Sequence, residues 1–196
     1  MTRKKVAILI SGRGSNMTAL IDAAKSSDYP AEIVGVLSNR AAAPGLQFAA
    51  ENGIATASLA QSKFLSREMF EDTMTQVLES WEVDYVCLAG FMRILGEDFV
   101  ARWQGRMVNI HPSLLPLYKG LDTHARVLAD GASAHGCTVH FVTPGLDEGP
   151  AILQAQVPVL PGDTEESLAA RVLVEEHRIY PEALRLLASG QVAFPG

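Results

Sequence analysis

Through its first hundred or so residues the chain alternates short apolar runs with helical patterns, and this alternation constrains the fold more than any other feature. Val6–Ile10, Glu32–Leu37, Ala55–Ser58, Val83–Ala89 and Met107–Ile110 read as strands. Asn16–Lys25, Leu46–Glu51 and Ser66–Trp81 read as helices, the last with Met69, Phe70, Met74, Val77 and Leu78 near helical spacing. Strands that alternate with helices form βαβ units, which build an open, mostly parallel, twisted sheet with helices on both faces. The expected class is therefore α/β, with a Rossmann-like architecture. The pattern changes after a short helix at Thr123–Ala129. Gly136–Val142 and Ile152–Val159 are strand-like, and the Gly- and Pro-punctuated loop between them predicts an antiparallel pair near the C-terminal part. A last helix should start at Gly162–Glu166, with Asp163 as N-cap and Glu166 three residues on, and run to about Ala188 with a bend at Pro181.

A chain of 196 residues fits one domain, residues 1–196, and no linker or repeat divides it. Apolar residues make up 48% and charged residues 19%, which suits a packed core and excludes a disordered chain. The formal net charge of −6, with no long basic run, argues against a general nucleic-acid surface. Cys87 and Cys137 both lie in apolar runs and read as reduced, buried thiols. Basic residues precede the first apolar run, as in a signal peptide, but Ser11-Gly12-Arg13-Gly14 breaks that run early. No segment approaches membrane-spanning length, so the expectation is a cytoplasmic protein without membrane contact.

Ser11-Gly12-Arg13-Gly14-Ser15-Asn16 joins the first strand to the first helix. Glycines let the backbone approach an anion closely, and free N–H groups at a helix start favour phosphate. A Gly-x-Gly pair alone serves only turn geometry in many α/β proteins. A dinucleotide fits poorly: the third glycine of that fingerprint would fall at Met17, and the second strand ends in Ser38-Asn39-Arg40 without an acidic residue for a ribose. A single phosphate on a smaller ligand fits better.

Met107–Pro116 carries Asn109 and His111 two residues apart, on one side of a strand that Pro112 must end. They would sit at the carboxyl end of that strand, where open α/β sheets bind ligands. An amide donor beside an imidazole suits a developing oxyanion and a proton transfer. Asp147, in the Thr143–Pro150 loop, is the candidate partner for His111, although an Asp in such a turn also commonly serves the backbone. The other histidines read as bland. His124 caps a helix, His135 lies in a loop, His140 is a strand-face residue, and His177 sits on a solvated helix face. No pair has convincing metal spacing, so no metal is expected.

Asn109-Ile-His111-Pro-Ser113-Leu-Leu-Pro116 resembles the signature of folate-dependent formyltransferases. Ala89-Gly90-Phe91-Met92-Arg93-Ile94-Leu95 and the Asp147-Glu-Gly-Pro loop match the same family in the same order. Ser11–Asn16 and Ser38-Asn39-Arg40 narrow the resemblance to members with a ribonucleotide acceptor. It covers nearly the whole chain and implies a formyltransferase fold with a nucleotide-phosphate half at about 1–100 and a folate and catalytic half at about 85–196. It also implies a reaction of de novo purine biosynthesis. The formyl group of 10-formyltetrahydrofolate, a co-substrate, moves to the primary amine of 5′-phosphoribosylglycinamide, giving formylglycinamide ribonucleotide and tetrahydrofolate.

Carried over by motif, Asn109, His111 and Asp147 form the catalytic trio. Asn109 and a protonated His111 would stabilise the oxyanion, and Asp147 would hold His111. The resemblance places Gly14, Ser15, Asn16 and Glu176 at the ribonucleotide. It places Arg67, Met92, Arg93, Ile94, Leu95, Asn109 and Val142 at the folate, with the Val142–Asp147 loop lining the pterin pocket. Pro144-Gly145 departs from the more polar residues of that loop in some members. Two other branches share the trio, but deformylases lack the Ser11–Asn16 type of loop, and the acidic balance fits poorly with a tRNA substrate. A non-catalytic folate- or nucleotide-binding module would not require all three residues. The oligomeric state stays open, a homodimer included.

Overall fold

The computed structural model describes residues 2–195, so the expected domain limits at Met1 and Gly196 lie just outside the described residues. One sheet of seven strands runs through the molecule in the order β3-β2-β1-β4-β5-β6-β7. The strands are β1 (Lys4–Ile10), β2 (Ala31–Ser38), β3 (Ala55–Ser58), β4 (Tyr85–Leu88), β5 (Met107–His111), β6 (Ala134–Phe141) and β7 (Ala151–Pro158). The first five pair in parallel, and β6 and β7 add on as an antiparallel extension. This is the expected α/β architecture, with the antiparallel pair where the Pro144–Pro150 turn signals place it.

The helices are α1 (Ser15–Ala24), α2 (Pro44–Glu51), α3 (Arg67–Ser80), α4 (Glu97–Arg102), α5 (Thr123–Ala129) and α6 (Glu165–Ala188). The period-two alternation of β1 feeds two cores. Val6, Ile8 and Ile10 pack with Met17 and Leu20 of α1 and with Leu168, Val172 and Ile179 of α6. Ala7 and Leu9 pack with Phe70, Met74 and Leu78 of α3 and Phe99 and Val100 of α4. A strand buried on both faces has no polar side, which is why β1 reads as one continuous apolar run. Tyr180 of α6 is fully buried, and its hydroxyl reaches the carbonyls of Leu88 at 2.9 Å and Val108 at 3.2 Å, fastening α6 under β4 and β5.

Two local expectations need correction, and one short helix goes beyond them. The N-cap of α6 is Thr164, not Asp163: its side chain accepts from Ser167 N, and the Ser167 hydroxyl accepts from Thr164 N. Asp163 stands one residue too early and instead accepts both arms of the Arg171 guanidinium, at 2.7 and 2.8 Å. The six-residue helix α4 has no counterpart in the sequence reading, because one and a half turns cannot show a period. Finally, β6 begins at Ala134, so His135 lies on a strand and not in a loop. Pro181 sits inside α6 without ending it. Among the described residues no helix is long and apolar enough to cross a membrane. Cys87 and Cys137 are free and buried.

Candidate active site

The chain turns from one half of the sheet to the other between the neighbouring strands β1 and β4, and the carboxyl ends of β1, β4 and β5 open beside that switch point. A cavity of about 550 Å³ lies there, walled by Asn109 and His111 of β5 and by His140 of β6. The loop from Val142 to Asp147 and the stretch from Phe91 to Leu95 complete one side of it, and Asn16 and Glu176 the other.

Asn109 and His111 share a face of β5, as their spacing requires, and both are turned inward. Antiparallel register puts His140 directly opposite Asn109. The His140 Nδ1–H donates to the Phe141 carbonyl at 2.9 Å, which leaves Nε2 as the acceptor facing Asn109 Nδ2 at 3.3 Å. Burial pushes the His140 imidazole below its ordinary range and keeps it neutral, as this pairing needs. His140 is thus more than a strand-face residue. Its Asn109 contact spans 31 positions and depends on a register that no local pattern in the sequence reveals.

The loop after β6 doubles back tightly. A Cβ on Gly149 would fall 1.7 Å from the Phe141 carbonyl oxygen, so only glycine fits where the loop closes. Asp147 adopts the left-handed conformation with φ 52°, and its side chain turns down into the site. Its Oδ2 accepts from Gly120 N at 2.9 Å and lies 3.4 Å from His111 Nδ1, while Oδ1 is 3.7 Å from His140 Nε2. The His111 Nε2–H donates to the Tyr118 carbonyl at 2.9 Å. Each nitrogen of His111 therefore faces an oxygen acceptor. Asp147 serves the backbone and the imidazole together, joining the two readings that its loop position left open.

At the other end, Gly14 is the N-cap of α1 in the left-handed conformation, and no side chain among the described residues caps the helix. Its first N–H groups remain available to an anion. Asn16 Nδ2 donates to Glu176 Oε2 at 2.6 Å, and Asn16 Oδ1 is buried with no partner among the described residues. Burial raises the Glu176 carboxyl above the usual carboxylate range, opposed by the Asn16 bond. Glu176 is buried in the cavity wall, although a Glu-Glu-His step on a long helix would otherwise suggest a solvated face.

Met92, Arg93, Ile94, Leu95 and Val142 line the cavity. Gly14 and Ser15 precede Asn16 at the start of α1 but do not line the cavity, and neither does Arg67, whose Nε is 3.9 Å from Glu71. Two further histidines depart from the bland reading. His124 does not cap α5, whose N-cap is Asp122; it lines the cavity, and its Nδ1 meets His135 Nε2 at 3.0 Å. Burial lowers both imidazoles, His135 to about 4. His177 is half-buried and not on a solvated face, since its Nε2 is enclosed without a partner among the described residues.

The family model described as "Formyl transferase" matches residues 4–184. The chain belongs to the formyl transferase family. Within it, the chain is 48% identical over 187 residues to the phosphoribosylglycinamide formyltransferase of Escherichia coli K12, covering 95% of this chain and 88% of that protein. It is 50% identical over 190 residues to the trifunctional purine biosynthetic protein adenosine-3 of Bos taurus. That alignment covers 97% of this formyl transferase chain but spans only 19% of the trifunctional relative, and the corresponding share for the Drosophila pseudoobscura protein is 14%. The fold is also similar to a crystal structure of phosphoribosylglycinamide formyltransferase from Brucella melitensis. The TM-score is 0.93 and the identity 52%, with 99% of this chain and all of that one covered.

Proposed function

We propose that this formyl transferase moves the formyl group of 10-formyltetrahydrofolate to the amine of 5′-phosphoribosylglycinamide, giving formylglycinamide ribonucleotide and tetrahydrofolate in purine biosynthesis. The observation that carries the reading is the placement of Asn109, His111 and Asp147 on one cavity wall, between an uncapped helix start and the Phe91–Leu95 backbone. The full-length likeness to phosphoribosylglycinamide formyltransferases supports the choice of substrates.

In this reading the ribonucleotide phosphate sits at Gly14, Ser15 and the N–H groups of α1, and the ribose lies against Asn16 and Glu176. The folate occupies the other end, between Met92–Leu95 and the Val142–Asp147 loop, with Arg67 reaching its outer part. The chain up to about residue 100 then serves the ribonucleotide and that from about residue 85 the folate, with Glu176 of α6 crossing to the former. A cytoplasmic setting belongs to this reading.

The amine nitrogen attacks the formyl carbon, and negative charge develops on the formyl oxygen. Asn109 gives one Nδ2–H to His140 and has the second free for that oxygen. His111 as an imidazolium adds its Nδ1–H. The 3.4 Å separation from Asp147 is long for a charge-assisted bond, so this hydrogen can be shared with the substrate. The bond from the formyl carbon to the folate nitrogen then breaks. As it breaks, the imidazolium of His111 gives its Nδ1 proton to that nitrogen, and the neutral ring then takes up the proton lost by the amine, with Asp147 holding the ring throughout.

An absorbance assay with 10-formyltetrahydrofolate tests this. Tetrahydrofolate is expected only when phosphoribosylglycinamide is present. Equal release without the ribonucleotide would replace the reading with a deformylase, and binding of both ligands without release would replace it with a binding module.

A further inference from the structure

The stretch Phe91–Gly96 has no regular structure, yet side chains from distant parts of the chain tie it down at both ends. At the first, Met92 N donates to Ser11 Oγ at 2.8 Å across 81 positions. Ser11 is buried, and its hydroxyl hydrogen goes to the equally buried Asn39 Oδ1 at 2.5 Å. At the second, Gly96 N donates to Glu71 Oε1 at 2.7 Å. Glu71 is buried too, and a Cβ on Gly96 would lie 2.7 Å from its other carboxylate oxygen. The neighbouring Arg67 makes a half-exposed ion pair with it, Nε standing 3.9 Å from Oε1, and gives it no hydrogen bond.

Between the two ties the chain faces the cavity and solvent, with Met92 60% and Ile94 78% exposed. The backbone N–H groups of Arg93, Ile94 and Leu95 have no protein partner among the described residues. A buried carboxylate and a buried hydroxyl are costly to enclose, and here both are used to fix backbone that itself stays unpaired.

We propose that Ser11 and Glu71 are positioning residues for the folate end of the cavity. They hold Met92–Gly96 at its two ends, so that its free N–H and C=O groups form a preset edge for a flat heterocycle with donors and acceptors on its rim. Neither side chain touches the ligand. They act by removing the cost of ordering this stretch on binding. The proposal rests on the functional reading above, which assigns this end to the folate.

The test is calorimetric titration of the full chain with tetrahydrofolate and, separately, with phosphoribosylglycinamide. Glu71→Ala and Ser11→Ala should each weaken tetrahydrofolate by about tenfold or more while ribonucleotide affinity stays within about twofold. Glu71→Gln keeps an oxygen for Gly96 N and should recover to within about threefold of the parent. In turnover, the KM for the formyl donor should rise more than kcat falls. If Glu71→Ala does not accumulate as folded protein, Ser11→Ala and Glu71→Gln carry the test. Tetrahydrofolate affinity unchanged in the alanine variants would overturn the proposal, as would equal losses for both ligands, which mark a merely structural role. A parent chain that binds the ribonucleotide but no tetrahydrofolate would overturn it together with the assignment of the folate end.

Discussion

Asn16 and Glu176 stand 160 positions apart in the chain, and their side chains meet at 2.6 Å. The bond fastens the start of α1 to the middle of α6 inside the cavity wall, and it leaves Asn16 Oδ1 buried without a partner among the described residues. Such a pair has spare acceptors to offer a hydroxylated ligand.

Keeping Glu176 in that wall reduces stability at neutral pH. Burial raises its carboxyl, so between the ordinary carboxyl range and the raised value the folded chain holds a proton that the unfolded chain has released, and above that window the buried carboxylate is ionised at a cost. The resulting stabilisation is present below the ordinary carboxyl range and lost as pH rises through the raised value. Glu176→Gln keeps an oxygen for Asn16 and removes the ionisation. It should melt about 2 °C or more above the parent near neutral pH, with the gap closing near pH 4. The same variant should bind phosphoribosylglycinamide roughly tenfold more weakly, because a neutral amide is a poorer acceptor for a ribose hydroxyl. Thermal melts across pH and a ribonucleotide titration check the two halves, and a variant that melts no higher than the parent at neutral pH would contradict the first.

Asp147 offers a cleaner separation of charge from shape. Asp147→Asn keeps an oxygen for Gly120 N and so preserves the loop, but it removes the negative charge beside His111. Turnover should fall by about 10²-fold or more with folate affinity little changed. His111→Ala should fall by about 10²–10⁴-fold while ribonucleotide binding stays near that of the parent. Single-turnover kinetics with both substrates saturating is the measurement, and near-normal rates in either variant would defeat the mechanism.

The parts of this site that were legible in the sequence are those whose geometry is local. Asn109 and His111 are two apart on a strand ended by Pro112, so their common face follows from the pleat alone. The burial of β1 on both faces follows from its unbroken apolar run. His140, Ser11 and Glu71 were not legible, since each acts through a partner 25 or more positions away. Antiparallel register and loop closure decide those contacts, and neither leaves a periodic trace. Thr164 and Asp163 differ by one residue as caps, and an Arg eight positions on decides which role Asp163 takes.

Gly14 is required by conformation as well as by space. Its φ of +69° is strained for any residue with a side chain, and a Cβ would meet Met17 Cβ at 3.2 Å and Ile10 Cγ2 at 3.4 Å. Gly14→Val should lose about 1–2 kcal/mol of stability from the left-handed conformation alone. It should also weaken ribonucleotide binding by shifting the N–H groups at the start of α1, while leaving tetrahydrofolate binding intact. Denaturant melts and paired titrations check this, and a phosphate end that tolerates valine would move the anion site elsewhere.

The His124–His135 pair predicts an acid-sensitive fold. His135 is buried against His124 and the edge of Tyr118, and its imidazole is lowered to about 4, first by burial and then by the charges of His124 and His111. His124 is lowered by burial and by His111, with Glu165 acting in the opposite sense. In the unfolded chain these rings take up protons near the ordinary histidine range, while the folded chain holds them neutral to lower pH. The unfolded state then binds more protons in that window, so stability falls as pH drops from about 6.5 toward about 4. His135→Phe preserves a ring against Tyr118 and removes one of the two titrations. Its melting temperature should decline less steeply than that of the parent across the window, even if the loss of the His124 bond makes it less stable at pH 8. Parallel melting curves at closely spaced pH values decide it: identical slopes in the two proteins would show that the pair does not carry the acid response.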